Sequence, residues 1–327
     1  MSRFFAYDIA SWYQMYSFLA FCLQNRSPNK KTYIHGFCTP SIDGNNHLNT
    51  FEYEEENLFV QLRNIEPNDL SYLPRATSAI SNSWSMLSRR RRRSKDDSLW
   101  LCHHTYMKPW DCPINRALIK QITHTGTFEE GLGSYLSETT RDDWKRLKKF
   151  GVGSYPAVRM SIKSILGSKI FSDINFRPML EAGSEFLHDA IRLIAKIDED
   201  IGLFSTTKNS IQGTTILFSS PIPRLLGKHP NFYLRELRNV VSKFCDPETC
   251  LVKLHPLEQD WANFYNENGF HILDTDAPAE HILWHLAPNR ILTVKSGVQH
   301  IAENIFGINS SCLYQECGRE EFQKFYL

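Results

Sequence analysis

Three short stretches of the chain carry residue types, at spacings, that suit proton transfer and phosphate binding. Thr127-Phe128-Glu129-Glu130-Gly131-Leu132-Gly133 places two adjacent carboxylates between a strand-like position and a Gly-x-Gly turn. Glycines there let the backbone bend sharply and present a carboxylate at the exit of a strand. Such a carboxylate can serve as a general base once partial burial moves its pKa toward working pH. Taken alone, the acidic pair reads as a solvated turn. Gly131, Gly133 and the aromatic neighbours Phe128 and Tyr135 favour the chemical reading.

His255-Pro256 follows the apolar run Leu251 to Leu254, so the proline stops a strand and fixes how the imidazole points. A histidine there can donate to a departing phosphate. A second dipeptide, His229-Pro230, opens a helix instead of closing a strand and reads as a cap. Ser296-Gly297 lies at a strand-to-helix turn, where unpaired backbone N–H groups and the helix dipole attract anions. The same serine is also a good helix N-cap. Glu280, in the first turn of the preceding helix, suits ribose hydroxyls as an acceptor, or is simply a favourable first-turn acid.

Two acidic clusters are set aside. Asp274-Thr275-Asp276 has the Asp-x-Asp form that can hold a diphosphate through a divalent cation, but Ala277-Pro278 follows at once, making Asp276 a helix cap. Asp198-Glu199-Asp200 sits at a helix end and reads as solvated charge. No metal ligands and no cofactor are assigned. The eight cysteines match no zinc knuckle or redox pair at spacings such as Cys102 to Cys112, Cys245 to Cys250 and Cys312 to Cys317, and are read as free thiols.

The elements that must position these residues alternate between strand and helix periods. Phe4 to Tyr7 and Thr32 to Phe37 read as strands, and between them Trp12, Met15, Tyr16, Leu19 and Cys22 form one helical face. Residues from about 45 to 97 blur into acidic and polar text that includes Arg89 to Arg93, and are expected to be a mobile insertion. Pattern returns at Ser98 to Cys102, a strand, and at Ile114 to Ile122, a helix. Helices follow around Val158 to Leu166 and Phe186 to Ile194. Beyond a polar stretch the alternation restarts. Strands are expected at Thr215 to Phe218, Leu251 to Leu254, His271 to Leu273 and Ile291 to Val294. Helices carry Leu234 to Phe244, Ile282 to Leu286 and Val298 to Ile305.

At 327 residues, two domains are expected, 1–208 and 209–327, each a doubly wound α/β unit, with the last helix expected to return to the first. In such sheets ligands bind beyond the carboxyl ends of the strands. A net charge of +1 argues against a dedicated nucleic-acid binder. No run of apolar residues reaches membrane-spanning length, and the N-terminus has no apolar segment of signal-peptide length before Asp8, so a cytoplasmic protein is expected. The arginine run offers peripheral contact with an anionic membrane face, or is solvated charge.

In their order, Glu129-Glu130-Gly131, His255-Pro256 and Ser296 resemble the acid-acid-glycine, His-Pro and serine motifs of bacterial sialyltransferases, particularly the lipooligosaccharide sialyltransferase and capsular polysialyltransferase families. The resemblance implies a GT-B fold, two Rossmann-like domains facing across a cleft, with the nucleotide held mainly by the second. It implies a metal-independent, inverting transfer of sialic acid from CMP-sialic acid to a glycan acceptor. In that scheme Glu129 is the general base, with Glu130 and Gly131 beside it on the acceptor side. His255 assists phosphate departure next to Pro256, Ser296 and Gly297 bind the phosphate, and Glu280 holds ribose. Relatives often carry two adjacent hydroxyl residues where Ser296-Gly297 stands, which leaves open a related enzyme using UDP-hexose or CMP-Kdo. A catalytically silent binding protein on the same fold is the third reading.

Overall fold

The computed structural model describes residues 2–9, 11–38, 50–64, 97–101, 126–128, 175–177, 185–205, 214–225, 227–294 and 296–316. The chain divides into two units, Met1–Ala190 and Ile191–Leu327. The division falls inside a helix, where the sequence reading placed it at 208/209.

In the first unit, β1 (Ser2–Ile9), α1 (Trp12–Asn25) and β2 (Thr32–Cys38) form the expected strand-helix-strand start, with β1 and β2 parallel. Ser11 caps α1 by accepting the Gln14 N–H at 3.2 Å. A single apolar stripe was expected on α1, but every residue from Trp12 to Cys22 is buried, including Gln14 and Ser17. The period-3.6 signal understated a helix that is enclosed on all sides.

The sheet is completed by β3 (Phe51–Glu55), β4 (Leu58–Asn64) and β5 (Asp97–Leu101) in the order β3-β4-β2-β1-β5. Only β3 runs antiparallel to its neighbour. This corrects part of the expected insertion, because residues 51–64 form a hairpin that joins the sheet through β4 and β2. The acidic composition hid a period of two, in which Phe51 and Tyr53 alternate with Glu52 and Glu54 on the edge strand. A separate parallel pair joins β6 (Gly126–Phe128) to β7 (Asn175–Arg177).

The second unit begins within α2 (Glu185–Ile201) and continues through β8 (Thr215–Phe218), α3 (Ile222–Leu225), α4 (Pro230–Val241) and β9 (Leu251–Lys253). A 3-10 helix (Pro256–Trp261) leads into α5 (Ala262–Glu267) and β10 (His271–Ile272). Then come α6 (Ala279–Leu286), β11 (Arg290–Thr293), α7 (Val298–Phe306), β12 (Asn309–Cys312) and α8 (Leu313–Glu316). All five strands are parallel in the order β10-β9-β8-β11-β12. The order runs outward from β8 in both directions, so the topological switch lies between β8 and β11.

The core of this unit packs Leu217, Val252 and Leu292 from the strands against Leu234, Leu237 and Val241 of α4, with Trp261, Tyr265 and Phe270 beside them. Strand registry pairs Phe218 with both Lys253 and Thr293, which brings the carboxyl ends of β8, β9 and β11 level. Among the described residues no helix is long and apolar enough to cross a membrane. The helices expected near Ile114 to Ile122 and Val158 to Leu166, the Arg89 to Arg93 run and the last residues of the chain lie outside the described residues.

Candidate functional site

β6 ends at Phe128, so the strand expected before the acidic pair is present, while Glu129, Glu130 and Gly131 themselves lie outside the described residues. The remaining candidates all follow strands of the second unit, on the side where parallel sheets bind ligands.

His255 follows β9 and stands at the N-cap of the 3-10 helix that Pro256 opens. Its Nδ1 accepts the Leu257 N–H at 3.2 Å, so the neutral ring carries its proton on Nε2. Its backbone N–H donates to Ser219 Oγ at 2.7 Å, and its carbonyl accepts the Glu258 N–H at 2.8 Å. Ring and backbone are thus both fixed, and the imidazole is a donor through one nitrogen. His229, by contrast, stands at the N-cap position of α4, as expected of the second His-Pro, but its side chain makes no capping hydrogen bond and is exposed.

Sequence reasoning missed the group beneath His255. Ser219, at the end of β8, also donates to Glu258 Oε2 at 2.6 Å, and the Tyr265 hydroxyl reaches Glu258 Oε1 at 3.4 Å. Glu258 is fully buried. Burial pushes its carboxyl up to about 7, against the opposing pull of the Ser219 and Tyr265 hydrogen bonds. The available signal was weak: an acid two residues beyond Pro256 and three before Trp261, too short a span to show a helical period.

Ser219→Ala removes the hydroxyl that joins His255 to Glu258. It leaves a main-chain N–H and a buried carboxylate oxygen without their shortest partners, at about 1–3 kcal/mol for each buried group left unsatisfied. Denaturant unfolding should show that loss, whereas Ser219→Thr should restore most of the stability.

Ser296 and Gly297 occupy the turn between β11 and α7. The N-cap position belongs to Gly297, already helical at φ −64° and ψ −20°, and it makes no side-chain cap. Ser296 does the capping one residue earlier, its Oγ accepting the Val298 N–H at 3.3 Å. That bond uses an oxygen lone pair and leaves the hydroxyl proton to donate. Glu280 lies in the first turn of α6, buried, and burial pushes its carboxyl up to about 7 while its own N–H opposes the shift.

Two charge assignments are corrected. Asp276 does not cap α6, whose N-cap is Pro278; its Oδ1 accepts instead from the backbone and hydroxyl of Ser205 at 2.8 and 2.9 Å. The proline ring fixes the helix start, so no aspartate is required there. Asp198 is not solvated: it is buried, Oδ1 accepts the Phe204 N–H at 2.8 Å, and Oδ2 lies 3.0 Å from His281 Nε2. Its neighbours Glu199 and Asp200 are exposed, as expected. A local run of three acids gave no sign that one faced inward. Burial lowers His281 to about 4, with nearby His285 acting in the same direction and Asp198 opposing.

Lys253, buried at the end of β9, donates to the Thr275 carbonyl at 2.6 Å; burial lowers its pKa against the nearby Asp276 and Asp274. Cys22, Cys245, Cys250 and Cys312 are free thiols, in line with the sequence reading.

No protein-family model matches the chain, and no curated protein matches it. Solved structures do. S. aureus MnaA in its UDP co-structure aligns with a TM-score of 0.50 at 12% identity, over 100% of this chain and 90% of that one. A Photobacterium sp. 2,6-sialyltransferase, in a ternary complex with CMP and lactose, aligns at 0.45 and 10% identity, over 91% and 69%. The sialyltransferase from Photobacterium damsela aligns at 0.41 and 13% identity, over 91% and 71%. The likeness is one of fold: the chain has the α/β GT-B architecture, with a Rossmann-like, largely parallel sheet in each unit.

Proposed function

We propose that this chain is a metal-independent, inverting glycosyltransferase that moves sialic acid from CMP-sialic acid to a glycan acceptor. The observation that carries the reading is the state of His255. Its ring is held by the Leu257 N–H on one nitrogen, so the neutral ring carries its proton on the other, at a residue that follows β9. The departing phosphate gains a second negative charge as the glycosidic bond breaks, and such a donor neutralises it.

The neighbouring features supply the rest of a nucleotide site. Ser296 and Gly297 stand at the amino end of α7, where the hydroxyl, main-chain N–H groups and helix dipole favour phosphate. Glu280 offers a buried carboxylate to ribose hydroxyls. In this scheme Glu129 takes the proton of the acceptor hydroxyl, with Glu130 and Gly131 shaping that turn, as the motif resemblance implies. The bond from the sugar to phosphate breaks as the acceptor oxygen attacks the opposite face, and His255 passes its proton to the departing phosphate. Asp276 is engaged by Ser205, which leaves the Asp-x-Asp run poorly suited to holding a diphosphate through a cation.

Incubation with CMP-sialic acid and galactose-terminated or sialylated acceptors should release CMP without added metal. Strict dependence on Mn²⁺ would sink the reading. Because S. aureus MnaA was solved with UDP, thermal shift with CMP, UDP and GDP forms the second arm. Stabilisation by UDP alone would reassign the donor and keep the transferase.

A further inference from the structure

We infer that Asp198, His281 and His285 form a divalent metal site of the zinc class in the second unit. One donor atom from each residue, all within 4.8 Å of one another, comes from two helices. His281 and His285 are one turn apart on α6, with ring centroids 4.2 Å apart, and so lie on the same face of that helix. Asp198 comes from the last turns of α2.

Three features distinguish this group from a solvated cluster. Asp198 and His281 are buried, while His285 is exposed and can turn toward them. His281 makes no aligned hydrogen bond through either ring nitrogen. Its Nε2 lies 3.0 Å from Asp198 Oδ2, but the N–H direction misses that oxygen. A neutral imidazole buried in this way has one ring lone pair to offer a metal and no protein partner that uses it well. Finally, the Phe204 N–H holds Asp198 Oδ1, which turns Oδ2 inward, and the Phe204 ring packs 4.6 Å from His281. An outer hydrogen bond that orients a carboxylate and an apolar wall beside an imidazole are what metal ligands need around them.

The donor set fits the ion. Zinc binds imidazole nitrogen and carboxylate oxygen at about 2.0–2.2 Å, which puts tetrahedral neighbours about 3.3 Å apart. The existing approach of Nε2 to Oδ2 is close to that separation. Three protein ligands with the fourth position taken by water complete the sphere at the exposed side of His285. The bound ion would tie the end of α2 to α6 through His281, the residue after Glu280, and His285, one turn further on. The inference stands on these three residues and does not depend on the proposed transfer reaction.

The full chain, stripped with chelator, is titrated with Co²⁺ and Zn²⁺. One Co²⁺ per chain should bind with the d–d absorption of a four- or five-coordinate nitrogen and oxygen site, and Zn²⁺ should raise the thermal midpoint. His285→Ala changes an exposed side chain, so it should leave the metal-free midpoint unchanged, weaken Co²⁺ binding by at least about tenfold and abolish the Zn²⁺ shift. Asp198→Asn, which keeps an oxygen for Phe204, should also weaken binding. The inference is overturned if the wild-type chain takes up no Co²⁺ at micromolar concentration, if its spectrum shows thiolate charge transfer instead, or if His285→Ala binds as the wild type does.

Discussion

His255→Ala should lower turnover in sugar transfer by about a hundred- to ten-thousand-fold, the range associated with losing a positioned proton donor. Nucleotide affinity should change far less, because the phosphate and ribose contacts are assigned to other residues. The fold should survive, since the backbone N–H of residue 255 still reaches Ser219 and Pro256 still opens the 3-10 helix. What the alanine removes locally is the Nδ1 acceptor for the Leu257 N–H, a loss of about 1 kcal/mol for a capping contact. His255→Asn separates the two roles, because its side-chain oxygen can accept from Leu257 while its amide cannot transfer a proton to phosphate. If asparagine restores the unfolding midpoint but not turnover, the imidazole acts on the substrate. Full activity in both variants would refute the assignment and leave His255 a helix cap.

The second-unit alternation was legible because each apolar run is short, ends on a turn residue and feeds an amphipathic helix. β8, β9 and β11 lie within a residue of their expected bounds for this reason. The first unit was less open to reading where acidic residues sit on an edge strand, as in β3, since solvent faces reward charge whatever the backbone does. Of the candidate site, the positions that punctuate the chain could be seen: a proline after His255, a glycine after Ser296. The residues that support them could not. Ser219 and Glu258 are 39 positions apart and meet only because β8 and β9 lie side by side. Asp198 and His281 are likewise brought together by packing, and no local spacing marks either.

Glu258 should make the protein's stability fall as pH rises from about 4.5 to 7, and Glu258→Gln should remove that contribution. The carboxyl is fully buried with a pKa of about 7, against an ordinary value of 4.5. Below pH 4.5 it is neutral whether the chain is folded or not, so its contribution is fully present. Between pH 4.5 and 7 the folded chain keeps the proton that the unfolded chain has lost. Stability therefore declines by about 1.4 kcal/mol per pH unit from this group, and the decline ends once the folded carboxyl ionises. Over the whole window the difference between wild type and Glu258→Gln should reach on the order of 3 kcal/mol, with the glutamine relatively better at pH 8 than at pH 5. Denaturant unfolding of both proteins across that range measures it, and parallel pH curves would place the carboxyl at an ordinary pKa. Glu258→Ala is the harsher change, because it also strips the Ser219 and Tyr265 hydroxyls of their acceptor and opens a void. That substitution should cost about 3 kcal/mol or more at every pH. It should also slow transfer, since Ser219 is the residue through which Glu258 holds the backbone of His255.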